Sequence, residues 1–341
     1  MTGTPDLLVV GGGPVGLYAA IRARLTGLEV VVAEPRRGPI DKACGEGLMP
    51  GAVAALTAVG VVPDGVPIAG FRYVNGRASV EHRFLGRPGL GVRRTTLHAA
   101  LGRRADELGV VRVSRRIDEL QQFPDRVRAG DLEASWLLAC DGLHSTVRRL
   151  TGLAIPSRRS ARFGLRQHFR APAWTDVVEV HWGRTVEVYV TPVTPELVGV
   201  SVLGPRRTRF EDAMAEVPEL AERLAGAEPD GPVRGAGPLR QETRARTSGR
   251  VLLAGDASGY IDALTGEGIR VGFSQAEAAV AAIAAGEPDR YELEWTARTR
   301  DFRRLTAGLV AAARSPLRGA IVPTAALLPG LYGRVVERLA R

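Results

Sequence analysis

Three glycines spaced as G-x-G-x-x-G, Gly11, Gly13 and Gly16, follow directly on an uncharged apolar run from Leu7 to Val10. A turn of this kind leaves backbone N–H groups free to face an anionic phosphate. Gly11 permits the tight turn, Gly13 lets the backbone come close to a pyrophosphate because it has no Cβ, and Gly16 lets a helix pack closely on the strand. Pro14 and Val15 open that helix, whose N-terminus adds a partial positive charge. Glu34 closes a second apolar run, Val30 to Ala33, where a carboxylate can accept both hydroxyls of an adenosine ribose. Asp141 and Asp256 end two further apolar runs, as Asp141-Gly142 and Gly255-Asp256. The N-terminal group predicts a bound dinucleotide and by itself does not separate FAD from NAD(P).

Positioning these groups takes alternating strands and helices. The charge-free run Leu7 to Val10 reads as a strand buried on both faces. Leu17, Ala20, Ile21, Ala23 and Arg24 then keep helical spacing as far as Gly27, a C-cap, which completes a βαβ unit with the second run. Residues 51–59 read as a short helix, and Leu97, Ala100, Leu101, Ala105 and Leu108 share one face of another that stops at Gly109. Short strands are expected over 110–133, buried strands at Trp136 to Cys140 and Val251 to Ala254, and a long Ala-rich helix from Ile269 to Ala285. Residues 68–92, with Asn75-Gly76, read as hairpin material, and Arg158 to Gly204 has period two with breaks at Pro172, Gly183 and Pro195. Residues 207–227 look helical, 228–238 form a Pro/Gly connection, and the tail has helical pieces broken at Pro316, Pro323 and Pro329.

Length suggests about two domains, and 45% hydrophobic with 24% charged residues is ordinary for a globular chain. The formal charge of +9 comes almost wholly from arginine, Lys42 being the only lysine. These arginines are scattered and not aligned with aromatics, which argues against a nucleic-acid partner. Cys44 and Cys140 make neither a disulfide framework nor a zinc site, and no metal is expected. The first strand starts too early to leave room for a signal peptide, no apolar run reaches membrane-spanning length, and a reducing cytoplasm is the expected location.

With the two aspartate turns added to the glycine turn, residues 5–300 resemble FAD-dependent oxidoreductases of the group containing para-hydroxybenzoate-hydroxylase-type monooxygenases, geranylgeranyl reductases and flavin-dependent halogenases. The resemblance implies an α/β chain with an α+β second domain: a Rossmann-like FAD-binding domain of the glutathione-reductase type (residues 1–67, 93–156 and 239–305), an inserted antiparallel β-sheet substrate domain (68–92 and 157–238), and a C-terminal helical tail (306–341). It implies non-covalent FAD, with Asp256 and Gly255 at the ribityl chain and Asp141 beside the pyrophosphate. Arg94 is expected near the phosphates, and Gly266, Gly268 and Ile269 at the flavin pyrimidine ring. The loop Asp41-Lys42-Ala43-Cys44-Gly45-Glu46-Gly47-Leu48 resembles the Cys-Gly loop of the geranylgeranyl reductases, placing Lys42, Cys44 and Gly45 near the flavin. A small buried residue and a solvated lysine are the plain alternatives for Cys44 and Lys42.

No second G-x-G-x-x-G follows, so NAD(P)H is expected as a transient reductant. The halogenase strand Trp-x-Trp-x-Ile-Pro is met here by Glu187 to Pro192, where only the proline matches. In the reductase strand, Tyr189 replaces Trp and Thr191 replaces Phe. Hydroxylation of an aromatic, phenolic or polyketide-like molecule through a flavin C4a-hydroperoxide is therefore the leading expectation, and reduction of an isoprenoid or lipid double bond the alternative. Arg166, His168, Tyr189 and His181 are the candidates to polarise a substrate, and Cys44 the candidate reactive thiol. The tail, both apolar and basic, is expected either to cap the pocket or to rest on a membrane surface. The sequence leaves the oligomeric state open.

Overall fold

The computed structural model describes residues 4–76, 78–156 and 162–340; Arg158, where the period-two segment was expected to begin, lies outside them. A six-stranded sheet runs in the order Thr247–Ser248, Val251–Leu253, Trp136–Ala139, Leu7–Val10, Val30–Ala33, Val111–Val113. All its pairs are parallel except the edge strand Thr247–Ser248. Leu7 and Val9 pack among helices Pro14–Leu25, Arg94–Glu107 and Gly268–Ala285. Leu8 and Val10 point the other way, against Val127, Ala129 and Ala134 of a small three-stranded meander. Both faces are covered, so the central strands carry no polar alternation.

The second sheet has eight strands. Its main path is Glu228–Pro229, Phe163–Arg170, Leu197–Gly204, Glu187–Thr194, Val178–Trp182, Gly70–Asn75 and Ala78–Arg83, with Arg234–Ala236 also pairing to Phe163–Arg170. It is antiparallel except where Val178–Trp182 lies parallel to Gly70–Asn75. That pair joins two excursions of the chain far apart in sequence, so no hairpin turn constrains its direction.

Three local expectations change. Residues 228–238 contribute two short strands to the sheet where a plain connection was expected. The helical stretch over 207–227 is divided into Phe210–Ala215 and Pro218–Arg223, because Pro218 opens a new first turn. Pro323 does not break the tail: it occupies the first turn of Ile321–Leu327, where a missing N–H leaves no helical bond unmade. The tail itself is pinned by Arg318, which donates to Glu187 at 2.5 Å and to the carbonyl of Gly183 at 2.9 Å.

Candidate cofactor and substrate site

Gly11 has φ +103°, and a Cβ on it would meet the Cys140 carbonyl oxygen at 2.5 Å. A Cβ on Gly16 would lie 1.9 Å from the Gly11 carbonyl oxygen, so this glycine brings the helix onto the strand end and does not itself line the cavity. At Gly13 the space is open, with only the Arg94 guanidinium within 4 Å, at 3.9 Å. His98 fixes the turn from behind: its Nε2–H donates to the Gly12 carbonyl at 2.9 Å. The carbonyl can only accept, which sets the tautomer. Burial holds His98 below its usual pKa, so the ring stays neutral.

One cavity of ≈ 530 Å³ runs from this turn to the eight-stranded sheet. Gly13, Asp141 and Asp256 all line it, together with Gly11, Pro14, Val15, Glu34, Lys42, Cys44, Gly45, Arg94, Gly255, Gly266, Gly268 and Ile269. Arg148 ties the two aspartate turns together, donating to the carbonyls of Asp256 (3.2 Å), Ala257 (3.0 Å) and Leu143 (2.9 Å). The Asp141 Oδ2 caps a helix by accepting the Val147 N–H at 3.1 Å, while its Oδ1 is buried without a partner. Burial raises the Asp141 pKa. Lys42 reaches across toward Asp256, with Nζ 3.7 Å from Oδ2. Glu34 accepts the Gly12 N–H at 2.9 Å and is held by Arg36 at 2.7 Å. Burial would raise its carboxyl, but the bonds from Arg36 and Gly12 together hold it below its ordinary value. Helix Gly268–Ala285 begins at the cavity with no side-chain cap.

At the far end the wall is apolar, built by Phe71, Val178, Leu203, Leu239 and Tyr260. Three hydroxyl side chains of this wall are engaged with backbone: Tyr189 donates to the Leu264 carbonyl (2.7 Å), Thr191 to Gly45 (2.8 Å) and Ser201 to Cys44 (3.1 Å). Tyr189 is thus on the wall with its hydroxyl occupied.

Arg166 and His168 do not face the cavity, which corrects the sequence expectation. Both are fully buried behind the wall, in a network that strand alternation does not reveal. His168 accepts from Arg166 at Nδ1 (2.8 Å) and donates from Nε2 to Glu46 Oε2 (2.6 Å), and Arg166 pairs with Asp41. His181 is likewise off the cavity wall and bonds Glu179 at 3.2 Å. The sequence reading also missed Glu46. A non-glycine residue at φ 59°, it is held in the left-handed region by both carboxylate oxygens, the second accepting the Arg94 N–H at 2.8 Å. The signal available was its place in the Cys-Gly loop; its partners are far away in sequence.

The FAD binding domain family matches residues 4–290. The chain belongs to the FAD binding domain family. It is 30% identical over 305 residues to dialkyldecalin synthase of Streptomyces rugosporus (79% of this chain, 63% of that protein). It is 26% identical over 381 residues to a 3-(3-hydroxy-phenyl)propionate/3-hydroxycinnamic acid hydroxylase of Mycolicibacterium gilvum (97% and 65%). To menaquinone reductase of Mycolicibacterium smegmatis it is 26% identical over 325 residues (85% and 79%). The chain therefore spans less than two thirds of the length of the first two. Its fold superposes on a flavoprotein/dehydrogenase from Cytophaga hutchinsonii with TM-score 0.82 at 18% identity, over 94% of this chain and 88% of that one.

The cavity fits the family's cofactor on its own terms. Space is open at Gly13, the Arg94 Nε and Asp141 Oδ1 are buried without partners, and an uncapped helix N-terminus faces the interior. An anionic, hydroxyl-bearing dinucleotide answers all three.

Proposed function

We propose that this chain is a FAD-dependent monooxygenase that hydroxylates an apolar aromatic, phenolic or polyketide-like small molecule with NAD(P)H and O₂. One observation carries the reading. The substrate end of the cavity is apolar, and its Tyr189, Thr191 and Ser201 hydroxyls already donate to backbone carbonyls. Such a wall selects by shape and apolar contact and leaves bond-making to the cofactor. When bound, FAD would supply electron transfer and oxygen activation. Gly13 and Arg94 would hold its pyrophosphate, Glu34 its adenosine ribose and Asp256 its ribityl chain. Gly266, Gly268 and Ile269 would offer N–H groups at the pyrimidine end, where negative charge is stabilised by a helix N-terminus. Phe71, Leu203 and Leu239 would exclude water from the reacting face. The likeness to a hydroxycinnamic acid hydroxylase supports this reading.

Reduction of a lipid double bond is the second reading. It is favoured by Cys44, a residue of the same cavity lining, and by the match to most of the length of a menaquinone reductase. Oxygen uptake decides between them. The first reading expects NAD(P)H-dependent O₂ consumption that rises with a phenolic substrate and survives Cys44→Ser. Anaerobic saturation of an alkene by dithionite-reduced protein, lost in Cys44→Ser, would overturn it in favour of the second.

A further inference from the structure

Glu46 ties the two ends of the cavity to each other. It is buried, it belongs to the cavity lining, and hydrogen bonds fix it on every side. Its N–H donates to the Cys44 Sγ at 3.4 Å, and its carbonyl accepts the Val92 N–H at 2.9 Å. One carboxylate oxygen accepts the Arg94 N–H at 2.8 Å and the other the His168 Nε2–H at 2.6 Å.

The Arg94 bond is a helix cap supplied from outside the helix. Arg93 precedes helix Arg94–Glu107 without making a side-chain capping bond, so Glu46 meets a first-turn N–H that the helix itself cannot. That helix carries two side chains that reach the glycine turn: Arg94, whose guanidinium stands beside Gly13, and His98, which donates to the Gly12 carbonyl. The second oxygen reaches the sheet, since His168 belongs to strand Phe163–Arg170. A Cβ on Gly199 would lie 3.0 Å from Glu46 Oε2 and 3.6 Å from the His168 ring, so the neighbouring strand carries a glycine where this bond passes. A carboxylate is required between these partners. Both donate, because the His168 Nδ1 already accepts from Arg166 and the ring proton therefore stays on Nε2. An amide would set its NH₂ against one of the two donors.

We propose that Glu46 is a positioning residue that caps the cofactor-end helix and, with the same carboxylate, ties it to the eight-stranded sheet, so that FAD binding and the setting of the sheet are coupled. The backbone agrees. At φ 59° a glutamate is strained, and such a conformation persists where its surroundings over-determine it. The inference rests on FAD lying at the glycine turn and is the same whether the reaction is hydroxylation or reduction.

The test is heteronuclear NMR of the histidine-labelled, flavin-free full chain as FAD is added. The His168 ring signal, assigned by its absence in His168→Gln, is expected to shift as FAD saturates, although the ring does not line the cavity. In Glu46→Gln the shift should vanish and FAD affinity should fall at least about fivefold, the size of a lost helix cap. His168→Gln keeps a donor for Glu46 and should leave FAD affinity close to wild type, whereas His168→Leu should weaken it. A role in folding alone would lower the thermal midpoint of all three variants without making the ring sense FAD. A His168 signal blind to saturating FAD in the wild type, or wild-type FAD affinity in Glu46→Gln, overturns the proposal. The wild-type titration needs no variant, so it decides even where Glu46→Gln fails to fold. No turnover is read, so the outcome is independent of the hydroxylase reading.

Discussion

At the glycine turn the cavity is walled by backbone, and at the eight-stranded sheet it is walled by side chains. The first end works by what is missing: no Cβ at Gly11 or Gly16, where one would strike a carbonyl oxygen at 2.5 and 1.9 Å. The second works by what is hidden. Its wall is mostly apolar, while Asp41, Arg166 and His168 sit behind it and, with Glu46 at its edge, fasten the Cys44 loop to the sheet. Backbone recognition suits a ligand common to a family, and a wall fastened from behind leaves the exposed side chains free to set the substrate.

The largest expected effect falls at the first end. Gly16→Ala puts a methyl into a backbone carbonyl that cannot retreat, so a loss of about 3 kcal/mol or more is expected, with the protein recovered free of flavin. Urea unfolding and flavin absorbance measure both; a yellow, fully stable variant would break the comparison at that end.

Arg166→Met comes next. It leaves Asp41 without its main partner and His168 Nδ1 with only the longer contact from Arg93 at 3.5 Å. Asp41 retains Arg234 at 3.3 Å and some solvent, so the cost is set near the low end for a broken buried pair, about 3 kcal/mol. Substrate affinity should suffer more than FAD affinity. Equal losses of both in parallel titrations would mean that the network serves the whole cavity and not the sheet end.

Glu267, at the N-cap position of helix Gly268–Ala285, is buried between Gly266 and Gly268, which line the cavity. Burial pushes its carboxyl up to about 7, against the opposing Arg270 guanidinium. The folded state then keeps a proton that the unfolded chain releases between pH 4.5 and about 7, so stability falls as pH rises through that window. The fall is on the order of 3 kcal/mol, and Glu267→Gln should flatten it. Urea midpoints at several pH values test this, and an unchanged slope in the variant would remove the group from the account.

Tyr189→Phe should be the mildest. It removes one hydrogen bond to Leu264, worth about 1 kcal/mol. Turnover should fall by less than about tenfold, whereas loss of a true acid–base group costs about a hundredfold or more. A larger drop in kcat would return Tyr189 to the chemistry.

These two ends were unequally legible in the sequence. Gly11, Gly13, Gly16 and Glu34 lie within one βαβ unit, so spacing alone announces their geometry. Asp141 and Asp256 needed the resemblance, because turn aspartates are common and only Arg148, bridging both turns, shows that they belong together. The sheet end was mostly hidden. Alternation placed Arg166 and His168 on one strand face but could not tell a cavity from the packed layer behind it, since both faces of this sheet are covered. Glu46 went unread because its left-handed backbone is imposed by partners 48 and 122 residues away.

The central claim is that one FAD touches three separate segments at once: the glycine turn, the Lys42–Glu46 loop and the start of helix Gly268–Ala285. Amide hydrogen exchange of the flavin-free protein, with and without added FAD, tests it directly. The account predicts slowed exchange at Gly11–Gly16, at Cys44–Glu46 and at Gly266–Arg270 together. Protection confined to the glycine turn, with the other two segments unchanged at saturating FAD, would contradict it.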